Sequence, residues 1–222
     1  MAPFPNRREA GRQLGDAVAR LRLADPVVLA LPRGGVPVGF EVAQRLGAPL
    51  DILLVRKIGA PGHEEYGIGA VVEGKKPEVV IDERIAQMVG ADQAYMDRLV
   101  ARELAEIERR RAAYRLAAPL PLAGRDVVLV DDGIATGATV RAALKGLASA
   151  GAARVILAVP VAPADTLAEL RGQCDEVVCL MVPEPFWAVG AHYADFAQTR
   201  DEEVTRLLAA NRSGEPSPSA GA

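Results

Sequence analysis

Several residue types that mark whole protein classes are scarce in this chain. Its 222 residues include two histidines and two cysteines, Cys174 and Cys179. Without metal-ligand spacing around them, these cysteines exclude a disulfide framework and predict buried thiols in a reducing compartment. The most apolar run, residues 155–161, has the length of a strand, whereas a membrane span needs about 18 apolar residues. We therefore expect a soluble globular protein.

The overall charge does not indicate binding to nucleic acid or to a membrane, and the amino-terminal sequence does not indicate secretion. The net charge of −3 gives no general attraction to nucleic acid or to a membrane, so an anion site must be local. Arg7, Arg8 and Glu9 lie where a signal peptide needs an apolar core, so the predicted location is the cytoplasm. The basic cluster at residues 109–111 alternates with glutamates and predicts a solvated helix face.

Short apolar segments alternate with amphipathic ones along the chain. An apolar segment without internal alternation is typical of a strand covered on both faces, and an amphipathic one of a surface helix. Strands are predicted at residues 27–31, 51–55, 125–130, 154–161 and 176–182. Helices are predicted from Asn6 onward, with Leu14, Val18 and Leu21 on one face, and at residues 36–46, 92–114, 138–150, 163–172 and 201–210. This order predicts an α/β fold, a doubly wound parallel sheet with flanking helices.

Two segments depart from this alternation. Residues 56–76 are rich in glycine and predict a long loop with a small strand at residues 68–72. Residues 212–222 are rich in glycine, proline and serine and predict a disordered tail. Because there is no repeat and no linker, residues 1–211 are expected to form one domain.

Residues 127–139 carry the strongest functional motif, Val-Val-Leu-Val-Asp-Asp-Gly-Ile-Ala-Thr-Gly-Ala-Thr. A buried strand here delivers two carboxylates, and a loop of small residues then opens a helix. The loop's N–H groups and the helix dipole favour an anion, to which Thr136 and Thr139 add hydroxyl donors. Asp131 and Asp132 are suited to vicinal ribose hydroxyls, directly or through hydrated Mg²⁺. The alternative is a turn followed by a capped helix without a ligand, which the full spacing disfavours.

This motif resembles the phosphoribosyl-pyrophosphate (PRPP) motif of the type I phosphoribosyltransferases. In that motif four apolar residues, two acidic residues and a short spacer precede Thr-Gly-x-Thr. The resemblance implies that Asp131 and Asp132 hold the ribose hydroxyls and, through water, the metal ion. It implies that the 5-phosphate is cradled by residues 135–139. The predicted ribose-phosphate site comprises Asp131, Asp132, Gly133, Ile134, Ala135, Thr136, Gly137, Ala138 and Thr139.

A second motif, Leu-Pro-Arg-Gly-Gly, follows the first predicted strand and opens a helix. The resemblance implies that Arg33, Gly34 and Gly35 bind pyrophosphate in a short loop that often contains a cis peptide. The planar guanidinium of Arg33 suits bidentate binding of phosphate oxygens. The alternative is an ordinary turn with a solvated arginine.

Arg56 and Lys57 end the second predicted strand and would add two cations to the pyrophosphate site. The resemblance implies a mobile loop after this strand that closes over the reaction and excludes water, here residues 59–69. His63 within it is a candidate proton donor to the leaving group or the acceptor, or else a solvated loop histidine.

Aromatic residues concentrate near the carboxyl end, where Pro-Glu-Pro-Phe-Trp-Ala-Val-Gly precedes Tyr193 and Phe196. The segment resembles the small C-terminal hood that phosphoribosyltransferases place over the acceptor base. Phe186 and Trp187 would stack on a planar acceptor. The alternative is that these rings pack the C-terminal helix onto the sheet, the interpretation preferred for Tyr193 and Phe196.

The resemblance extends over nearly the whole chain, to a bacterial and archaeal branch of phosphoribosyltransferase-like proteins. It implies Mg²⁺-dependent transfer of the 5-phosphoribosyl group from PRPP to an acceptor, a nitrogenous base, with release of pyrophosphate. The catalytic residues would be Arg33, Lys57, Asp131 and Asp132. Ala135 stands where enzymes acting on 6-oxopurines usually carry an acidic residue for proton transfer, which disfavours hypoxanthine and guanine.

The alternative function is a non-catalytic PRPP- or nucleotide-binding regulatory protein, which would need neither a pyrophosphate loop nor a closing loop. The expected partners are PRPP and a small-molecule acceptor, with no nucleic acid and no membrane. The helix predicted at residues 92–114 has enough apolar residues to serve a homodimer.

Overall fold

The computed structural model describes residues 3–74, 77–114 and 119–214. Their strands are β1 (Val27–Ala30), β2 (Leu50–Ile52), β3 (Val55–Ala60), β4 (His63–Val72), β5 (Glu78–Ile81), β6 (Asp126–Val130), β7 (Arg154–Val161) and β8 (Glu176–Met181). Their helices are α1 (Arg7–Ala19), α2 (Gly35–Leu46), α3 (Glu83–Met88), α4 (Gln93–Ala113), α5 (Ala138–Ala148), α6 (Ala164–Leu170) and α7 (Asp201–Ser213), with a 3₁₀ turn at Val189–His192. No helix in these ranges has the length and apolarity to cross a membrane.

The chain forms two compact units. The first comprises Met1–Ile52, Leu122–Gly137 and Gly151–Ala222, and the second comprises Leu53–Pro121 and Ala138–Ala150. That residues 1–211 form one domain stays a prediction. Of the predicted tail, residues 212 and 213 belong to α7, and residues 215–222 lie outside the described residues.

The sheet of the first unit is parallel throughout, with the strand order β2-β1-β6-β7-β8. Every residue of β1, β2 and β6 is buried, which is the covering on both faces that their mainly apolar sequences predicted. The strand order reverses between β1 and β6, the position at which doubly wound sheets bind ligands. The predicted fold class is confirmed.

Helices α1 and α2 begin and end where local chemistry directs them. The side chain of Asn6 accepts a hydrogen bond from the Glu9 N–H at 2.9 Å and caps α1. α2 starts directly after the Arg33-Gly34 turn and stops at Gly47, whose φ of 61° is left-handed. Both helices match the prediction, except that Leu21 lies beyond the end of α1 at Ala19. α2 carries the chain away from the carboxyl end of β1.

The prediction for residues 51–76 is wrong in two respects. The second parallel strand ends at Ile52, and Val55 begins β3 of another sheet. The segment expected to be a long loop is instead an antiparallel hairpin, β3 paired with β4. Its turn is Pro61-Gly62, in which proline presets the first position and Gly62, with φ of 72°, takes the second.

The second unit is built on the antiparallel sheet β3-β4-β5 with α3, α4 and α5. Asp92 caps α4 by accepting a hydrogen bond from the Tyr95 N–H. Ile107 of α4 is buried, and the carboxylate of Glu103 is buried beside it. Arg56 Nε of β3 donates to Glu103 at 2.8 Å, which gives this buried carboxylate a cationic partner.

Candidate functional site

Two loops meet at the point where the strand order reverses, one after β1 and one after β6. The Leu31 N–H donates to the Val130 carbonyl at 2.9 Å, so the register of the two strands continues into the loops. A β-carbon placed on Gly34 would lie 2.1 Å from Asp132 Oδ2, and one on Gly35 would lie 2.9 Å from the Val130 carbonyl oxygen. We call residues 131–137, after β6, the acidic loop and residues 31–35, after β1, the glycine loop. Because residues 34 and 35 have no side chains, the acidic loop can approach the glycine loop this closely.

The carboxylates of Asp131 and Asp132 are both partly buried and lie beside each other. The Asp132 N–H donates to Asp131 Oδ1 at 2.8 Å. Burial raises the pKa of the Asp131 carboxyl well above its usual range, and the negative charge of Asp132 raises it further. Burial also raises the pKa of Asp132, although the cation of Arg7 opposes that effect. A cationic ligand would therefore favour both ionised forms.

Arg7 is a member of the site that the sequence analysis missed. Its Nε donates to Asp132 Oδ2 at 2.7 Å, and its Nη1 donates to the Ala197 carbonyl at 2.7 Å. The guanidinium carbon lies 3.8 Å from the centre of the Phe196 ring, in cation–π geometry. In the sequence Arg7 is only a charged residue at the start of a helix, so no local pattern indicates this contact.

Tyr193 also contacts Asp132, through the backbone carbonyl of that residue. Its hydroxyl donates to the Asp132 carbonyl at 2.5 Å, and burial raises the pKa of the phenol, so it stays protonated as a donor. Its ring packs against Phe4 and Phe196, with centroid distances of 5.5 Å and 5.1 Å. Tyr193 and Phe196 are therefore packing residues, as preferred from the sequence, but their partners are Phe4 and the start of α1, whereas the sequence had predicted the C-terminal helix.

The loop after Asp132 is hydrogen-bonded and buried at Ile134 and exposed at the next two residues. The Ile134 N–H donates to the Val161 carbonyl at 2.9 Å, and the Ile134 side chain is buried. Thr166 Oγ1 donates to the Ala135 carbonyl at 3.0 Å. Ala135 and Thr136 are exposed, and Gly137 has a left-handed φ of 73°. Ala138 and Thr139, predicted members of the same site, are the first residues of α5 in the second unit.

Arg33 lies in the loop between β1 and α2. The peptide bond from Pro32 to Arg33 is cis, as the resemblance implies for this loop. The Arg33 Nη1 lies 3.6 Å from a carboxylate oxygen of Asp201, and both side chains are substantially exposed. Such a pair contributes little to stability and leaves the guanidinium accessible to an anion.

Arg56 and Lys57 lie on β3 of the second unit. Arg56 is held by the buried carboxylate of Glu103, whereas Lys57 is exposed. His63, at the start of β4, is also exposed. The pyrophosphate role of the two cations and the proton-transfer role of His63 stay predictions.

The hood segment follows β8 in the first unit. Phe186 is partly buried, with its ring 5.6 Å from that of His192, and it packs against the cluster around Phe4 and Tyr193. Trp187 is 81% exposed and extends into solvent. The Val189 side chain packs closely on Gly133 of the acidic loop, at 2.5 Å from where a β-carbon would stand. Stacking of Phe186 or Trp187 on an acceptor stays a prediction.

The first unit is thus an α/β module in which the glycine loop and the acidic loop meet where the strand order reverses. Two carboxylates beside a loop of small residues are suited to a phosphorylated sugar. Residues 8–195 match the family model described as phosphoribosyl transferase domain. The chain therefore belongs to the phosphoribosyl transferase domain family.

Relatives and a solved structure agree with this assignment. A Mycobacterium tuberculosis H37Rv protein named “Putative phosphoribosyl transferase Rv0571c” is 46% identical over 209 residues, 94% of this chain. The CDC 1551 strain counterpart, MT0597, has the same identity and coverage. The match covers 47% of either protein, so the chain spans about half the length of these curated relatives. The crystal structure of TT1426 from Thermus thermophilus is 48% identical, with a TM-score of 0.82 over 94% of this chain and 98% of that one.

Proposed function

We propose that the chain transfers the 5-phosphoribosyl group of PRPP to a small-molecule acceptor and releases pyrophosphate. The observation that carries the proposal is the close approach of the Asp132 carboxylate to Gly34, where an added β-carbon would lie 2.1 Å from Oδ2. PRPP has a ribose 5-phosphate end and a pyrophosphate end, and it needs two adjoining sites. The acidic loop and the glycine loop of the first unit are two such neighbours.

Each loop has a separate task in this proposal. Asp131 and Asp132 accept hydrogen bonds from the ribose 2- and 3-hydroxyls, and residues 135–139 donate to the 5-phosphate. Arg33 binds pyrophosphate oxygens as the bond from the anomeric carbon to pyrophosphate breaks and the bond to the acceptor forms. The chain contributes orientation and charge stabilisation, and no covalent nucleophile is required.

Mg²⁺ fits this site as an ion held jointly by protein and substrate. Among the described residues no three His, Cys, Asp or Glu side chains are grouped to hold a metal. Mg²⁺ commonly binds one or two carboxylates together with substrate phosphates and water. Asp131 and Asp132 supply two such carboxylates, whose raised pKa values a nearby cation would lower. When bound there, the ion would neutralise charge on the phosphates of PRPP.

The acceptor is proposed to be a small nitrogenous compound other than a 6-oxopurine. The Ala135 position, where an acidic residue would assist proton transfer to such a purine, is exposed and carries only a methyl group.

Isothermal titration with PRPP, in Mg²⁺ and then in chelator, tests the proposal. We expect micromolar binding that depends on the metal and that falls about tenfold or more in Asp132→Asn, because charge-assisted hydrogen bonds are lost. Asp165→Asn is the control, since that exposed carboxylate lies on α6. Unchanged PRPP affinity in Asp132→Asn would contradict the site.

Pyrophosphate release on addition of candidate acceptors then tests for turnover. PRPP binding without pyrophosphate release from any acceptor would favour the alternative, a PRPP-binding regulatory protein.

A further inference from the structure

Residues 189–197, the last part of the hood segment, contact the backbone of the acidic loop at two places. The Val189 side chain packs on Gly133, with its Cγ1 2.5 Å from where a β-carbon of that glycine would stand. The Tyr193 hydroxyl donates to the Asp132 carbonyl at 2.5 Å. Both contacts therefore fix the loop at the carboxylates proposed to hold the ribose.

A third contact reaches the carboxylate of Asp132 itself. Arg7 donates hydrogen bonds of 2.7 Å to Asp132 Oδ2 and to the Ala197 carbonyl. One guanidinium thus bridges the acidic side chain and the end of the hood segment. Because the guanidinium is planar and its donors form a rigid fork, it fixes the two acceptors relative to each other.

The hood segment is in turn held firmly within the first unit. The Phe4 N–H donates to the His192 carbonyl, and the Ala194 N–H donates to the Phe4 carbonyl, both at 2.8 Å. The Tyr193 ring packs against the rings of Phe4 and Phe196, with centroid distances of 5.5 Å and 5.1 Å. A tyrosine packed in this way presents its hydroxyl in one position.

These contacts differ from those of a cover over the acceptor. A ring that stacks on a planar acceptor must present its face to the ligand. Tyr193 is instead 6% exposed, and its hydroxyl is bonded to the backbone of the acidic loop. Such a hydroxyl acts on the ribose site whether or not an acceptor is bound.

We infer that residues 189–197 position Asp132 for the ribose, and that Tyr193 is the principal positioning residue. This inference rests on the proposed transferase function and assigns the end of the hood segment to the ribose-phosphate site. The Tyr193 hydroxyl fixes the backbone of Asp132, and Arg7 orients its carboxylate. When the carboxylate shifts, its hydrogen bonds to the ribose hydroxyls become longer and less well aligned, and they weaken.

Titration of the whole protein without any acceptor tests the inference. The ligands are PRPP with Mg²⁺ and, separately, ribose 5-phosphate. Tyr193→Phe removes the hydroxyl and keeps the ring that packs on Phe4. We expect this variant to bind both ligands about fivefold or more weakly, because the hydrogen bonds of Asp132 to the ribose lose their geometry.

Asn211→Ala is a control for loss of stability in the same unit. The Asn211 side chain accepts from the Leu50 N–H at 2.8 Å and donates to the Ala48 carbonyl at 3.2 Å. Removing it should lower the urea midpoint of unfolding, because both backbone groups lose a partner. Since neither bond involves the acidic loop, the affinities for PRPP and ribose 5-phosphate should stay unchanged.

A double variant tests whether Tyr193 acts through Asp132. In the Asp132→Asn background, Tyr193→Phe should weaken PRPP by about twofold at most, because the carboxylate that it positions is already absent. A purely structural role would not produce this dependence. If Tyr193→Phe weakens PRPP equally with and without the Asp132 carboxylate, the tyrosine acts by another route and the inference fails.

The same titrations separate this inference from the proposed function. If the wild-type protein binds PRPP and Tyr193→Phe binds it equally well, the transferase proposal stands and the positioning role fails. If Asn211→Ala loses as much affinity as Tyr193→Phe, the loss follows stability, and the positioning role again fails. If the wild-type protein binds neither PRPP nor ribose 5-phosphate, the transferase proposal itself fails and the positioning role fails with it.

Discussion

Arg7 and Asp132, which are 125 positions apart in the chain, form a 2.7 Å ion pair beside the point where the strand order of the sheet reverses. Both side chains are largely buried, with 12% and 14% exposure. The pair joins the first turn of α1 to the second carboxylate of the acidic loop. Because a buried carboxylate without a partner is costly, Arg7 offsets part of the cost of burying Asp132 and fixes the position of its carboxylate.

Replacing Arg7 should therefore affect stability and PRPP binding together. We expect Arg7→Gln to lower the free energy of unfolding by about 3 kcal/mol, because it leaves Asp132 buried without its cation. Urea unfolding and PRPP titration would measure the two effects. Arg45→Gln is a matched control, because its 2.6 Å pair with Asp16 is exposed and is worth about 1 kcal/mol or less.

The double variant Arg7→Gln/Asp132→Asn separates pairing from general damage. If the pair is the cause, the double variant should be more stable than the sum of the single effects predicts. Strict additivity would show that Arg7 stabilises α1 independently of Asp132.

Stability should fall as the pH rises above the usual carboxyl range, and Asp131 should be a main cause. Its pKa is raised in the folded protein, so the folded state keeps a proton that the unfolded chain has released. The loss begins near the ordinary value of 3.8 and continues up to the raised pKa. We expect Asp131→Asn to flatten this decline when urea midpoints are measured from acidic to neutral pH, with greater stability than wild type at neutral pH.

Glu106 provides a control of opposite sign. Arg109 and Arg110 lower the pKa of this partly exposed carboxyl to about 2. Any stability it contributes is present above 4.5 and is lost as the pH falls toward 2. Glu106→Gln should therefore leave the decline at higher pH unchanged. A decline that persists in full in Asp131→Asn would rule out Asp131 as its source.

Gly34→Ala should damage the site through a single methyl group. Gly34 has φ of −60°, which alanine adopts readily, so backbone strain is not the cause. The added β-carbon would lie 2.1 Å from Asp132 Oδ2 and must displace that carboxylate. We expect a loss of about 1–3 kcal/mol in stability. We also expect about a hundredfold loss in the rate of pyrophosphate release, because the reacting groups shift.

Gly172→Ala is the matched control for this change. A β-carbon at Gly172 has no neighbour within 4 Å, so stability and rate should stay close to wild type. Wild-type activity in Gly34→Ala would mean that the acidic loop moves without consequence, and it would refute the assignment of the two loops to one ligand.

The neighbouring cations Arg56 and Lys57 should respond differently to the same substitution. Arg56→Gln removes one partner of the buried Glu103 and should cost about 2 kcal/mol of stability. Lys57→Gln alters an exposed side chain and should change stability by about 0.5 kcal/mol or less. If Lys57 binds pyrophosphate, its variant should nevertheless weaken PRPP about tenfold. If Lys57→Gln and the wild-type protein have the same unfolding curve and the same PRPP affinity, Lys57 is not part of the site.

The parallel sheet was predictable because each of its strands carries its own pattern. The unbroken apolar sequences of β1 and β6 required burial on both faces, and the acidic and glycine motifs directly followed them. Ligands of such sheets bind at the carboxyl ends of strands, so the sequence alone indicated two loops at one edge.

The hairpin β3-β4 and the residues Arg7 and Glu103 were not predictable in the same way. In the hairpin, glycine-rich sequence masked the alternation of a strand, although Pro61-Gly62 is a turn signature that indicates the connection. Arg7 and Glu103 take their roles from partners at residues 132 and 56, and a single sequence gives no measure of such distant pairs.

The close approach of Gly34 to the Asp132 carboxylate has an evolutionary consequence. A side chain at residue 34 and the present position of the Asp132 carboxylate exclude each other, since the added carbon would overlap the carboxylate oxygen. Natural variation at the two positions should therefore be correlated. A descendant that gains a side chain at residue 34 must also move or shorten the side chain at residue 132, so selection acts on the two loops together.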